Sequence, residues 1–256
     1  MITWRQVLPT LFTIAAMMAG FYSILLAAEG EFMMSAQMIM LSMLLDGFDG
    51  NVARLVKGTT KFGAELDTYV DMTSFGIAPA VLAYECALKG FGLTGFLLSA
   101  FIIISGVMRL SRFRVKDPFR GQRGFQGLPI TVNACWLSMF IFVAESGLLN
   151  TERYALQSGP LAVLVWTCTI LFLVLQVSNI RYPKPTKALI GFIPCILFVM
   201  FLFLKLQVAV ASALTICASC FVYAFITPLF PRHADLMDIV GESDEENETE
   251  PGFRMP

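Results

Sequence analysis

A chain of 256 residues that is 57% hydrophobic and only 14% charged, with a mean hydropathy of +0.71, carries too little polar surface for a water-soluble domain. Its formal net charge of −1 is uninformative, because the signal lies in how Lys and Arg are shared among the loops, and no nucleic-acid partner is expected. The expected class is an all-α, polytopic integral membrane protein with the lipid bilayer as its solvent.

A hydrocarbon core about 30 Å thick needs roughly 20 apolar helical residues to cross it. In chain order, such stretches fall near 8–28, 33–57, 63–88, 93–113, 129–147, 158–179, 187–204 and 207–229, eight in all. The first follows a lone basic residue, Arg5, and has full spanning length, so it reads as a membrane helix rather than a signal peptide. The second carries Asp46 and Asp49 near its end, and the third carries Asp67 and Asp71 near its start. A single helix over the last two stretches would reach roughly 63 Å, about twice the bilayer core, so the run is expected to break at Lys205-Leu206-Gln207.

With the N-terminus inside, fifteen Lys and Arg residues fall on the inner side and three, Lys89, Arg153 and Lys205, on the outer. A missed span would invert every later loop, so this asymmetry supports the count and puts both termini in the cytoplasm. Cys86, Cys135, Cys168, Cys195, Cys217 and Cys220 lie mostly in apolar spans with no CxxC spacing, and read as small buried hydrophobes. Gly20 and Gly106 read as close-packing positions between helices. Residues 1–230 are expected to form a transmembrane catalytic domain. Residues 231–256 are expected to form an acidic, disordered cytoplasmic tail, and His233 beside it receives no catalytic role.

Four carboxylates near a membrane boundary need a reason, because a bilayer disfavours ionised groups. On a helix advancing 100° per residue, Asp46, Asp49, Gly50 and Ala53 fall within an arc of about 100°, and Gly63, Asp67, Asp71, Ser74 and Ala78 within about 80°. The connector between the two helices is short, so both acidic faces are expected to look at one point near the inner boundary. Converging carboxylates repel one another unless a cation joins them. Oxygen donors without His or Cys suit Mg²⁺ or Mn²⁺, and four carboxylates can hold two such ions about 4 Å apart, an arrangement used for phosphoryl transfer. Gly50, Ala53 and Gly63 keep the helix backbone open to a nucleotide diphosphate, and Arg54 adjoins them.

The order Asp46, Asp49, Gly50, Ala53, Arg54, then Gly63, Asp67 and Asp71 resembles the signature of the CDP-alcohol phosphatidyltransferases. That resemblance implies the family's helical fold, a homodimer, and replacement of CMP on a CDP-linked lipid by an alcohol. It also implies Asp46, Asp49 and Asp67 as metal ligands, and Asp71 as a ligand that also serves as general base. Three further segments resemble the serine-using branch: Asp71-Met72-Thr73-Ser74-Phe75-Gly76-Ile77-Ala78-Pro79, Arg109 to Arg114 with Phe125-Gln126-Gly127-Leu128-Pro129, and Val177-Ser178-Asn179-Ile180-Arg181-Tyr182-Pro183. They imply CDP-diacylglycerol as donor and L-serine as acceptor. The opening segment departs from the family, because Pro9-Thr10-Leu11-Phe12-Thr13 leads to Ala16 without the usual asparagines.

A donor diphosphate and an amino-acid carboxylate both call for fixed cations, and Arg109 and Arg112, one turn apart, are the candidates for acceptor or phosphate binding, with Ser74 beside Asp71. Two rival readings remain at this point. One is the same chemistry on inositol, inositol phosphate or glycerol phosphate. The other is a cation transporter that uses the acids as its ion path.

Overall fold

The computed structural model describes residues 4–56, 58–116, 125–147, 160–182 and 193–226. The acidic tail, His233, and the loop cations Arg120, Arg123, Arg153, Lys184 and Lys187 lie outside the described residues. The chain folds as an all-α bundle.

Helices α1 (Trp4–Glu29) and α2 (Phe32–Leu55) form an antiparallel hairpin that turns at Gly30, whose φ of 85° is left-handed backbone. Lipid supplies no water to satisfy polar groups, so hydroxyls between the two helices bond across the seam. Ser23 and Ser35 share a 2.9 Å hydrogen bond, and Ser42 Oγ donates to the Ala16 carbonyl at 2.7 Å. Nearer the N-terminus of α1 and the C-terminus of α2, Thr13 Oγ1 donates to Asp49 Oδ2 at 2.6 Å.

The expected third span is one helical rod with interrupted register. Thr60 caps α3 (Lys61–Asp71), its hydroxyl accepting from the Gly63 N–H at 2.9 Å. Past Asp71 the rod widens into a π-helical stretch, Met72–Ile77, and tightens as α4 (Ala78–Ala83). It widens again over Tyr84–Leu88 and ends in a 3-10 turn, Lys89–Phe91. Single-turn π stretches of this kind concentrate at functional sites, and this one begins at a candidate catalytic residue.

Then follow α5 (Leu93–Lys116), α6 (Ile130–Glu145), α7 (Pro160–Val177), α8 (Ile193–Leu202) and α9 (Leu206–Phe221), the last running into a π stretch, Val222–Ile226. The expected break before α9 falls at Phe203-Leu204-Lys205, and Gln37 Nε2 caps α8 by donating to the Leu202 carbonyl at 2.6 Å. Buried on nearly every side, α6 is the central helix, and its Trp136 stacks on Phe172 and meets Phe221 edge-on. Gly106 lets it approach: a Cβ there would stand 2.8 Å from Ile130 Cδ1. Gly20 does the same on α1, where a Cβ would stand 2.8 Å from Ser74 Cβ. All six cysteines are free thiols.

Among the described residues, three helices are long and apolar enough to cross a membrane by themselves, Val7–Glu29, Leu93–Val115 and Leu206–Ile226, with shorter apolar helices at Ile130–Glu145 and Val165–Val177. The expected count of eight therefore rests on loop charges and apolar stretches, not on helix lengths, because several spans are short or carry the charged site. Large side chains such as Met18, Phe21, Phe101, Ile104, Val174 and Met200 are exposed on the outside, as a lipid-facing surface requires. The chain is a multi-pass membrane protein.

Candidate active site

The C-terminal half of α2 and the following helix α3 meet, as their spacing predicts. Asp46, Asp49 and Asp67 each offer one carboxylate oxygen, and the three oxygens lie within 4.8 Å of one another. Asp49 is buried, and its Oδ2 accepts a hydrogen bond from the Thr13 hydroxyl. The carboxyl groups of Asp46 and Asp67 are within hydrogen-bonding reach of each other. Asp46 Oδ1 is shut off from solvent with no hydrogen-bond partner.

Three observations fit these residues to a divalent cation. A buried carboxylate oxygen without a donor is costly unless something positive completes it. The donor set is all oxygen, which suits a hard ion. Gly50, one residue past Asp49, faces open space, since a Cβ there would meet no atom within 4 Å. The cluster can therefore hold metal, and it has an open side by which a large anionic ligand can approach.

Asp71 stands outside the group of three oxygens. It is close enough to interact electrostatically with Asp46 on one side and with Arg109 on the other. Arg109 is 6% exposed on α5 and also interacts with Tyr223, whose ring stacks on Tyr182 at 5.6 Å between centroids. Arg114, one turn farther along α5, forms an ion pair with Glu65 of α3 and ties the two helices together near the site. Of the candidate arginines, Arg109 is placed by the structure in the charge field of Asp71.

The other expected contacts go elsewhere. Arg112 spends its guanidinium on the end of α7, donating to the Val177 carbonyl at 2.9 Å, the Ser178 carbonyl at 2.8 Å and Asn179 Oδ1 at 3.0 Å. Carbonyls at a helix C-terminus have no partner within the helix, so a cation fits them well. Ser74 is fully buried within the π stretch and donates to the Ala16 carbonyl of α1 at 3.4 Å. Arg54 is exposed and donates to Asn51 Oδ1 at 2.7 Å. Gly63 serves the α3 cap, with Thr60 Oγ1 3.2 Å from where its Cβ would be. Ala53 is half-buried on the acidic face of α2.

Three segments far apart in sequence meet around Arg112. Strand β1 (Phe125–Gln126) pairs antiparallel with β2 (Arg181–Tyr182), with Phe125 opposite Tyr182. The N–H of Gly127 donates to the Ile180 carbonyl at 2.8 Å, and that of Leu128 to the Leu175 carbonyl at 3.0 Å. Gly127 has a φ of 75°, and a Cβ there would stand 2.9 Å from Arg112 Nη2, so the position requires glycine. Below this junction, Asn133 Nδ2 donates to Gln176 Oε1 at 2.8 Å. Replacing Arg112 by Ala is expected to cost about 1–3 kcal/mol of stability, read as a lower unfolding midpoint, with the KM for the acceptor within about twofold. A large rise in KM at unchanged stability would return Arg112 to the binding site.

Sequence reasoning missed Thr13 and the Tyr182–Tyr223 stack. Thr13 sits in the segment after Pro9 noted for its missing asparagines, and that segment was the available signal. Nothing in the sequence pairs Tyr182 with Tyr223.

Acidic helix faces meeting beside a buried arginine in a membrane-protein bundle define a candidate divalent-cation site. The chain belongs to the CDP-alcohol phosphatidyltransferase family, which it matches over residues 6–223. It is 36% identical over 179 residues to the CDP-diacylglycerol–serine O-phosphatidyltransferase of Helicobacter pylori, covering 70% of this chain and 73% of that one. It is 33% identical to the archaetidylserine synthase of Methanothermobacter thermautotrophicus, covering 69% and 70%. Its identity to the CDP-diacylglycerol–serine O-phosphatidyltransferase of Bacillus subtilis is 28%, covering 70% of this chain and 92% of that one.

Proposed function

We propose that the chain transfers the phosphatidyl group of CDP-diacylglycerol to L-serine, giving phosphatidylserine and CMP. The observation that carries this reading is the triad of oxygens from Asp46, Asp49 and Asp67 within 4.8 Å, on the family's own signature positions. Relatives named for different lipid products share serine in their names, which supports serine as the acceptor.

In this reading Asp46, Asp49 and Asp67 would hold two divalent cations, Mg²⁺ or Mn²⁺, with Asp71 as the further ligand that the resemblance adds. When bound, such ions neutralise the donor diphosphate and stabilise departing CMP. Asp71 accepts the proton of the serine hydroxyl as its oxygen attacks the phosphorus that bears diacylglycerol. The bond from that phosphorus to the bridging oxygen breaks, and the electron pair leaves with CMP. Arg109, beside Asp71, balances its charge and presents a fork to the serine carboxylate. Gly50 leaves the helix backbone open on the side where the diphosphate approaches, and Ala53, Arg54 and Gly63 complete that side in the family pattern.

The enzyme works in the cytoplasmic membrane with both termini inside, as a homodimer. A site at the inner boundary lets lipid enter sideways while serine and CMP exchange with the cytoplasm. Purified protein, CDP-diacylglycerol and Mn²⁺, offered labelled serine, inositol, inositol phosphate and glycerol phosphate, is expected to label lipid and release CMP with serine by at least about a hundredfold over the others, well within the roughly ten-thousandfold scale on which a site built for polar groups can reject analogues. Turnover with another alcohol and none with serine would transfer the assignment to that acceptor.

A further inference from the structure

Thr13 belongs to α1, a helix that supplies none of the four carboxylates, yet its hydroxyl lies 2.6 Å from Asp49 Oδ2. The same oxygen lies 3.1 Å from the Pro9 carbonyl, one turn back. A threonine hydroxyl has one proton to give, and here two acceptors are within reach. The shorter distance and the negative charge favour the carboxylate, since hydrogen bonds to ionised acceptors are the stronger ones.

Both partners are buried, at 4% exposure for Thr13 and 5% for Asp49, so water does not compete for the bond. Other hydroxyl bonds along the same seam end on main-chain carbonyls or on another hydroxyl, as Ser42 and Ser23 do. Those bonds hold α1 against α2. The Thr13 bond does that and one thing more, because a donor on one carboxylate oxygen fixes the plane of the whole group. It thereby fixes the direction of the lone pairs that Asp49 turns toward Asp46 and Asp67.

We propose that Thr13 is a positioning residue: by donating to Asp49 Oδ2 it sets the orientation in which this carboxylate meets the divalent cation, and so sets the chain's affinity for the ion. The inference rests on the metal-dependent reading above. Removing a partner that orients a metal ligand costs about tenfold to a hundredfold in metal affinity. Valine keeps the branched shape of threonine without the proton, and serine keeps the proton without the methyl.

The test is Mn²⁺ binding to detergent-purified, substrate-free protein, read by the electron-paramagnetic resonance of unbound ion, for the parent chain, T13V, T13S and S42A. Thr13→Val is expected to weaken Mn²⁺ binding by about tenfold or more, while Thr13→Ser stays within about threefold of the parent. At saturating Mn²⁺ the KM for serine of T13V should match the parent. Ser42→Ala removes a hydroxyl from the same seam one turn away, and is expected to lower the unfolding midpoint with Mn²⁺ binding unchanged. If T13V does not fold, T13A takes its place with the same expectation.

Parent-like Mn²⁺ binding by a folded T13V, or equal weakening in S42A, would overturn the role given to Thr13 and leave the metal reading standing. A parent chain that binds no Mn²⁺ would instead sink the metal reading and this inference together.

Discussion

Asp71→Asn is expected to slow transfer by about two to four orders of magnitude, the range by which a positioned general base accelerates a reaction. Asparagine keeps the size of the side chain and can still accept a hydrogen bond, but it cannot take up the serine proton. Because Asp71 stands outside the group of Asp46, Asp49 and Asp67, Mn²⁺ binding by substrate-free D71N should stay close to that of the parent. Asp46→Asn should lose Mn²⁺ binding and turnover together, since Asp46 belongs to that group and carries the buried oxygen with no donor. The comparison separates two roles the family pattern assigns jointly to Asp71. Loss of Mn²⁺ from D71N to the same degree as from D46N would make Asp71 a ligand first.

Arg109→Gln is expected to lower kcat/KM for serine by about two orders of magnitude or more. Breaking a buried charge pair by removing one partner costs about 3–5 kcal/mol, and each 1.36 kcal/mol is a factor of about ten in rate. Arg109 is 6% exposed beside the half-buried Asp71, so its loss leaves that carboxylate without this counter-charge where water screens it only in part. Arg109→Lys keeps the charge but not the two-pronged donor geometry, and should recover part of the loss. Ethanolamine is serine without its carboxylate and distinguishes the two tasks given to the arginine. If Arg109 holds the acceptor carboxylate, R109Q should lose most of the preference for serine over ethanolamine. A uniform drop with both acceptors would confine Arg109 to balancing Asp71.

Much of the site is visible in the residue order because helices impose a fixed angle per residue. The spacing of Asp46 and Asp49, and of Gly63 and Asp67, needs only 100° steps and a short connector to bring the acids together, and they do come together. The same step does not say what Ser74 meets. A π stretch begins right after Asp71, and within it the Ser74 hydroxyl bonds to α1, where Gly20 leaves room for it. No residue in Met72–Ile77 announces that insertion, since it answers to packing against neighbouring helices.

The arginines show the same limit. Arg109 lies deeper in the apolar stretch than Arg112, one turn on, and is the first candidate from sequence, but depth does not say what either guanidinium meets. Their different fates depend on what faces them: Asp71 in one case, the carbonyl end of α7 in the other. The segments containing Gly127 and Arg181-Tyr182 were noticed as separate family resemblances, and their pairing into a two-stranded junction around Arg112 belongs to the fold.

By itself the sequence determined that this chain lives in a membrane, that it is helical, and that two adjacent helices bring carboxylates to one place. Composition, loop charge and helical periodicity are local quantities, and each can be counted along the chain. The tertiary structure decided which side chains complete those carboxylates. Thr13 on Asp49, Arg109 beside Asp71, and Arg112 at α7 are contacts between helices, fixed by how the helices rotate and approach one another once lipid has removed water as a competing partner.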